Sequence, residues 1–327
     1  MASSPKAGEQ LTEHEAAIYD RQLRVWGVET QKRLSQARVL IAGCNGLAAE
    51  VAKNIVLAGV GSVALVDDTP CSLRPPSNFL VPADAPASTT VAEASATTLA
   101  EMNPYVKVSV LPGTPVAALA PENLRQADLL LLCGQDASVI AQADALCRED
   151  GVALFAGVCR GIFGWAFADL GEHTYLWEKV EEQKDGSSSK TVEERMLSFP
   201  SWAAATSCSL QGVSTKRLSK LYLLLRVCAK FEQQQERFPT AEDAEALAAL
   251  AAGVCSEAGI DPAVLPANQL AAYAAADADM PAINAVVGGV VANEVIKAVG
   301  RKGEPAVNNF FLFSLADGGQ GSVERMG

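Results

Sequence analysis

Glycine spacing, thiols and imidazoles are the first candidates for chemistry in this chain. Gly43-Cys-Asn-Gly46 joins a short β-rich apolar run, residues 38–42, to a helical pattern in which Leu47, Val51, Ile55 and Ala58 recur every three or four positions. A strand, a glycine turn and a helix N-terminus together can hold phosphate. The glycines let backbone N–H groups approach the oxygens, and the helix end favours negative charge. Asn45 and Ala48 stand where further glycines would allow close approach, so a second reading stays open, a tight turn that packs a helix on a sheet. The eight cysteines (44, 71, 133, 147, 159, 208, 228 and 255) are scattered and form no C-x-x-C pair. That pattern predicts reduced thiols in a cytosolic or nuclear protein and no structural zinc. His14 and His173 lack a ligand-spaced partner, which favours exposed or capping roles over metal binding.

These residues need elements to hold them. Residues 13–36 read as helical, and Ser62–Val66, closing at Asp67-Asp68, completes a βαβ unit of about 30 residues. Helix is predicted over 91–102 and 137–148, and strand over 105–111, 128–133 and 152–155. Residues 162–170 suggest hairpin strands. The alternation predicts an α/β fold with a doubly wound, Rossmann-like, mainly parallel sheet. Residues 178–195 are polar, with Gly186-Ser-Ser-Ser189 as a flexible centre. Helices follow over 215–236, 241–258, 267–276 and 282–299, and 309–313 reads as a late strand. A helical insertion therefore interrupts the α/β domain before the chain returns to it.

Composition narrows the function classes. The 327 residues carry 26 Lys+Arg against 38 Asp+Glu, a net charge of -12. An acidic surplus argues against non-specific nucleic-acid binding, which needs cations to neutralise phosphates. No apolar run is expected to reach the 18–20 residues of a membrane span, and the N-terminal residues show no secretory signal. Between Arg237 and Lys297 there is no Lys, Arg or His. Eight acids lie there: Glu242, Asp243, Glu245, Glu257, Asp261, Asp277, Asp279 and Glu294.

Several runs together resemble the adenylation domain of the enzymes that activate ubiquitin-like modifiers. They are Tyr19-Asp-Arg-Gln-Leu-Arg-Val-Trp-Gly27, Arg38-Val-Leu-Ile-Ala-Gly43, Asn54-Ile-Val-Leu-Ala-Gly59, Phe167-Ala-Asp-Leu-Gly-Glu-His173, residues 285–297 and Asn308-Asn-Phe-Phe-Leu-Phe313. Length and the ADLGEH segment fit best the smaller subunits of the heterodimeric enzymes that activate SUMO. The resemblance implies three parts: 1–177, the first part of a pseudo-adenylation domain; 178–280, a flexible segment and helical insertion; and 281–327, the return to that domain.

Active members of the family join a modifier's C-terminal carboxylate to AMP, which needs Mg²⁺, cations and backbone donors around the triphosphate. Set against their pattern, Asp67 or Asp68 keeps the strand-end acid. Pro76 and Ser77 stand in place of an Asn and an Arg, Thr89 and Val91 where a Lys belongs, and Gln135 in place of a metal-binding Asp, although Asp136 is adjacent. The implied nucleotide site is degenerate around Gly43, Gly46 and Asp67, so this chain is expected to bind neither ATP nor a metal. Arg21 matches the arginine that reaches in trans to the partner's ATP phosphates. Arg24 could support it or pair with a local carboxylate. Cys208 is the best-placed match to a thioester cysteine, but it has no His beside it, and the nearest cations in sequence are Lys216 and Arg217.

The resemblance thus implies a subunit of an obligate heterodimer that is inactive alone. Its larger catalytic partner would bind ATP, Mg²⁺, Zn²⁺ and SUMO and form the thioester. Residence is expected in the nucleus, with the cytoplasm as the alternative, and no nucleic-acid or membrane partner is expected. Two rivals remain: a self-sufficient homodimeric adenylating enzyme, and a non-enzymatic Rossmann binding module.

Overall fold

The computed structural model describes residues 13–182, 188–211, 213, 218–316 and 318–327. Its centre is an eight-stranded sheet. Strands β1 (Arg38–Ala42), β2 (Ser62–Val66), β3 (Lys107–Val110), β4 (Leu129–Cys133) and β5 (Ala153–Arg160) pair in parallel in the order β3-β2-β1-β4-β5. Three antiparallel strands extend the β5 edge: β6 (Phe163–Asp169), β9 (Phe310–Ser314) and β10 (Gln320–Glu324). This is the expected mixed α/β sheet. β4, read from Leu-Leu-Leu-Leu-Cys, is buried along its whole length, as a parallel strand covered on both faces must be.

Helices cover both faces. On one, α3 (Gly46–Ala58), α4 (Val91–Met102) and α11 (Pro281–Gly300) pack over a core that includes Ile41, Leu47, Ile55 and Phe155. Gly288 is what lets α11 lie close to α3, since a Cβ there would come within 2.6 Å of Glu50 Cβ. On the other face, α6 (Ala137–Asp150), α7 (Trp202–Ser207), α8 (Lys220–Gln235), α9 (Ala244–Ala258) and α10 (Ala267–Ala275) share a core with Leu130, Leu154, Phe167 and Phe310. The inserted helices thus build the second face of the same sheet. Trp202 anchors them, stacked on Trp165 at 5.7 Å and edge-on to Phe167 at 5.2 Å. The expected capping box at Thr240 is present, with Asp243 as its return partner.

Three expectations need correction. Residues 178–195, read as a flexible segment, lie largely in a long antiparallel hairpin of β7 (Glu172–Glu182) and β8 (Ser188–Ser198); residues 183–187, including Gly186, lie outside the described residues. The described side chains of β8, residues 191–198, are largely exposed on both faces, so no apolar alternation marks them. Residues 162–170 form one strand whose hairpin partner is β5. Finally, α11 is long and apolar enough to cross a membrane, against the expectation of no such run, but half of it is buried in the molecule, as in a core helix.

The N-terminal segment forms α1 (Glu13–Ile18) and α2 (Asp20–Leu34), with Gly27 interrupting the second at φ +83°. Tyr19 pins it to the body. Its ring fills the space above Gly59, whose left-handed φ of +86° ends α3, and its hydroxyl accepts a 2.9 Å hydrogen bond from Asn103. Gln31 is buried and donates to the Ala58 carbonyl at 2.9 Å. These contacts fix one side of α2 and leave the other free.

Candidate functional site

The glycine turn lies where β1 meets α3, at the carboxyl ends of the parallel strands, the usual ligand crevice of such sheets. Gly43 takes φ +85°, and a Cβ there would come within 2.2 Å of the Cys133 carbonyl oxygen. The requirement is therefore passage between β1 and β4, in agreement with the packing reading of this loop. Asn45 caps α3 by accepting from Ala48 N at 3.0 Å.

An acid of the chain itself sits at this helix end. Asp279, in the link between α10 and α11, accepts from Gly46 N at 3.2 Å and from Asn284 Nδ2 at 2.8 Å, and its other oxygen accepts the Ser77 hydroxyl. A Cβ on Gly46 would strike Asn284 Nδ2 at 2.2 Å and Ser77 Oγ at 2.3 Å, so the glycine admits side chains of this protein. Asp67 is the strand-end acid that turns inward, while Asp68 is exposed. Asp67 accepts Cys44 N at 2.7 Å and Thr69 N at 3.0 Å, so it braces the loop. The gap among Cys44, Ala48, Asn78 and Leu80 holds only about 10 Å³.

The remaining family positions are equally spent. Pro76 is exposed, and Val91 is buried as the first residue of α4, behind the capping box of Thr90 and Glu93. Gln135 folds back on the carbonyls of Cys133 and Gly134, both at 3.3 Å. Asp136 caps α6, accepting from Ser138 N at 2.9 Å and Val139 N at 3.3 Å. Among the described residues, no three His, Cys, Asp or Glu side chains group as a metal site would require. The residues present do not fit ATP with Mg²⁺.

Arg21 and Arg24 stand apart from this crevice on the exposed side of α2. Arg24 pairs with Asp20 at 2.9 Å, the local carboxylate pairing considered above. Arg21 is exposed and has no ion-pair partner among the described residues. Cys208 is half-buried at the end of α7, with its Sγ 3.5 Å from the Tyr222 hydroxyl. Lys216 and Arg217 lie outside the described residues; the cation that the fold brings to Cys208 is Arg226, which donates to its carbonyl at 2.9 Å. All eight cysteines are free, and burial pushes the thiols of Cys44, Cys133 and Cys159 up, which keeps them protonated and inert.

His173 corrects the expectation of an exposed or capping role. It is half-buried, its Nε2 has no partner, and burial together with Arg301 pushes its pKa down to about 4. With Arg33, Arg38 and Arg301 it lines a polar cavity of about 650 Å³ at the opposite, amino-terminal edge of the sheet. Three helices end there, α2, α6 and α11, and cations at their carboxyl ends offset the helix dipoles. The His14 side chain lies outside the described residues.

Sequence reasoning missed Asp279 and Asn284. No local pattern marks Asp279, which meets Gly46 across 233 positions.

Comparison with known proteins was made on this basis. The ThiF family matches residues 19–325. SUMO-activating enzyme subunit 1A of Arabidopsis thaliana is 35% identical over 319 residues, covering 95% of each chain. SUMO-activating enzyme subunit 1 of Homo sapiens is 33% identical over 353 aligned positions, covering 100% of this chain and 99% of that one. Among solved structures, E. coli MccB with MccA-N7isoASN superposes with a TM-score of 0.58 at 14% identity, over 98% of this chain and 73% of that one. PaaA gives 0.57 at 15% identity, over 100% and 78%. At those identities the two structures speak for the fold alone.

Proposed function

From the premise that this chain belongs to the ThiF family, we propose that it is the subunit without the catalytic cysteine in a heterodimeric SUMO-activating enzyme. The larger subunit binds ATP, Mg²⁺ and SUMO, adenylates the SUMO C-terminus and takes the thioester on its own cysteine. This chain completes that adenylation site in trans with Arg21, and the complex works in the nucleus. Full-length relatives named as SUMO-activating enzyme subunit 1 support the assembly.

The observation that carries the reading is Arg21 itself. It projects from a helix whose other side is pinned by Tyr19 and Gln31, and its guanidinium is not committed to a carboxylate among the described residues. An uncommitted guanidinium on an anchored segment can enter a partner's site and neutralise charge on a transferring phosphate without first breaking a local pair. The degenerate crevice adds support, since phosphate chemistry then has to occur in the other subunit.

ATP–pyrophosphate exchange by the reconstituted heterodimer tests this. Arg21→Ala should slow exchange by orders of magnitude, with an upper analogy of ~10³–10⁵ from trans arginines in phosphoryl transfer. Arg24→Ala should have a far smaller effect, because its charge is spent on Asp20. Unchanged exchange in an assembled Arg21→Ala dimer removes the trans role. Exchange by this chain alone with SUMO would establish the homodimeric rival.

A further inference from the structure

We propose that Asn103 is a positioning residue for Arg21, setting through the Tyr19 hydroxyl where that guanidinium is presented. The inference rests on the trans-arginine reading above and adds to it a residue outside the N-terminal segment.

Gly27 divides α2 into two halves, since its φ of +83° and ψ of 167° are not helical. The second half is held to the body on its own account. Thr30, Gln31 and Leu34 are buried, and Gln31 donates to the Ala58 carbonyl at 2.9 Å. The first half carries Arg21 and is largely exposed. A half-helix this short does not hold unaided, because its first turn costs more than its hydrogen bonds return. The exposed Asp20–Arg24 pair adds little to it. Among residues 16–26, Tyr19 is the buried one, so the first half depends on what holds Tyr19.

That anchor is Asn103. The last carbonyls of α3 have no partner within the helix. Three side-chain amides meet them in order: Asn103 on Val56 at 2.8 Å, Gln22 on Leu57 at 3.3 Å and Gln31 on Ala58 at 2.9 Å. Asn103 spends its second N–H on the Tyr19 hydroxyl at 2.9 Å, and its Oδ1 accepts Tyr105 N at 3.1 Å. It is 4% exposed, and these three bonds fix its amide plane. The Tyr19 carbonyl in turn accepts Leu23 N at 2.8 Å, the bond that opens α2, and Arg21 sits inside that turn. A shift at Asn103 therefore passes through Tyr19 to the backbone of Arg21. A group that acts in another subunit's site tolerates little error, since misplacement by about 1 Å can cost ~10²-fold.

The test compares ATP–pyrophosphate exchange by assembled heterodimers at saturating ATP and SUMO. The variants are Tyr19→Phe, Asn103→Ala and Arg21→Ala, with each of the first two also combined with the third. Tyr19→Phe keeps the ring over Gly59 and removes the acceptor for Asn103. Tyr19→Phe and Asn103→Ala should each lower kcat by ~10–100-fold. On Arg21→Ala, followed at raised enzyme concentration, neither should lower it further, because the group they place is gone. An equal factor with and without Arg21 would overturn the proposal, since it would report on fold or assembly at large. Unchanged kcat in both variants would overturn it as well. Should Asn103→Ala not assemble, Tyr19→Phe decides by the same outcomes. Hydrogen exchange on the full chain separates this proposal from the reading it rests on. Amides of residues 20–26 should exchange ~10-fold faster in both variants, with 28–34 unchanged. If 20–26 keep their protection while Arg21→Ala slows pyrophosphate exchange, the positioning role alone falls. If 20–26 lose protection while Arg21→Ala leaves pyrophosphate exchange intact, the trans-arginine reading falls and takes the positioning role with it.

Discussion

Stability should fall as pH rises from about 5 to 6.5, and Asp144→Asn should abolish most of that fall. Asp144 and Asp169 are 3% and 2% exposed and face each other beneath α7. Asp169 accepts both Arg148 Nε at 2.6 Å and Gly171 N at 2.8 Å. Asp144 accepts only Trp202 N through Oδ2, and its Oδ1 meets no donor. Two carboxylates cannot both accept in one contact, so Asp144 keeps a proton and donates it to Asp169. Burial, then the neighbouring Asp169, pushes its pKa up to about 7. Burial pushes Glu232, the acceptor for Ala137 N at the start of α6, up to about 8. Each carboxyl is protonated in the fold and ionised in the unfolded chain above about pH 4–4.5. Their stabilisation is complete below that value and is lost as pH climbs towards the folded value, at ~1.4 kcal/mol per pH unit per group. His173 acts in the opposite sense. Its folded value of about 4 lies below the unfolded one, so stability is gained as pH rises to about 6.5.

The sum over that window is two groups falling and one rising, a net loss of ~1.4 kcal/mol per pH unit, or about 2 kcal/mol from pH 5 to 6.5. Glu324, also raised by burial, adds in the falling sense. Removing the Asp144 titration leaves Glu232 and His173 to offset each other. Urea unfolding at half-unit pH steps, with the slope m held common, reads this directly. A wild-type stability that is flat or rises over the window refutes the protonated pair, and so does an Asp144→Asn variant that keeps the full slope.

Gly43→Ala should cost about 3 kcal/mol or more, because a positive φ and a 2.2 Å approach to a backbone carbonyl combine. Gly27→Ala should cost about 1–2 kcal/mol, since its φ is similar but its surroundings are open; equal losses in denaturant midpoints would discredit the close-approach account. Cys208→Ser should leave thioester formation by the heterodimer intact, because the sulfur rests against the Tyr222 hydroxyl at the end of α7; loss of the thioester band on a non-reducing gel would contradict this.

The β1–α3–β2 unit was legible because burial on both faces writes strands as continuous apolar runs, and because Gly43 and Gly59 punctuate them where φ must be positive. β8 and β10 were not, for the opposite reason. Their residues are largely exposed, so nothing in their order records the pairing. The site divides in the same way. Missing cations at Ser77, Thr89 and Val91 could be counted along the chain, whereas Asp279 meets Gly46 only through the fold, by way of the turn at Gly161. The acidic stretch between Arg237 and Lys297 thus contributes one member, Asp279, to the crevice.

The absence of cations at these positions and the presence of Asp279 at the α3 N-terminus fit one another physically. A helix N-terminus beneath a sheet needs negative charge or acceptors, and in a nucleotide-binding protein the ligand supplies part of that need. Here Asn45 and Asp279 supply acceptors to the α3 N-terminus from within the chain. The consequence is measurable on the full chain alone. A ligand that binds the folded state at 100 times its Kd adds about 2.7 kcal/mol, which would raise the midpoint of a chain of this size by several degrees. With the α3 N-terminus occupied by the Asp279 carboxylate, millimolar ATP and Mg²⁺ should leave the thermal midpoint where it was. A rise of several degrees would mean that Asp279 does not fill the nucleotide's place, and the assignment of phosphate chemistry to the other subunit would fall with it.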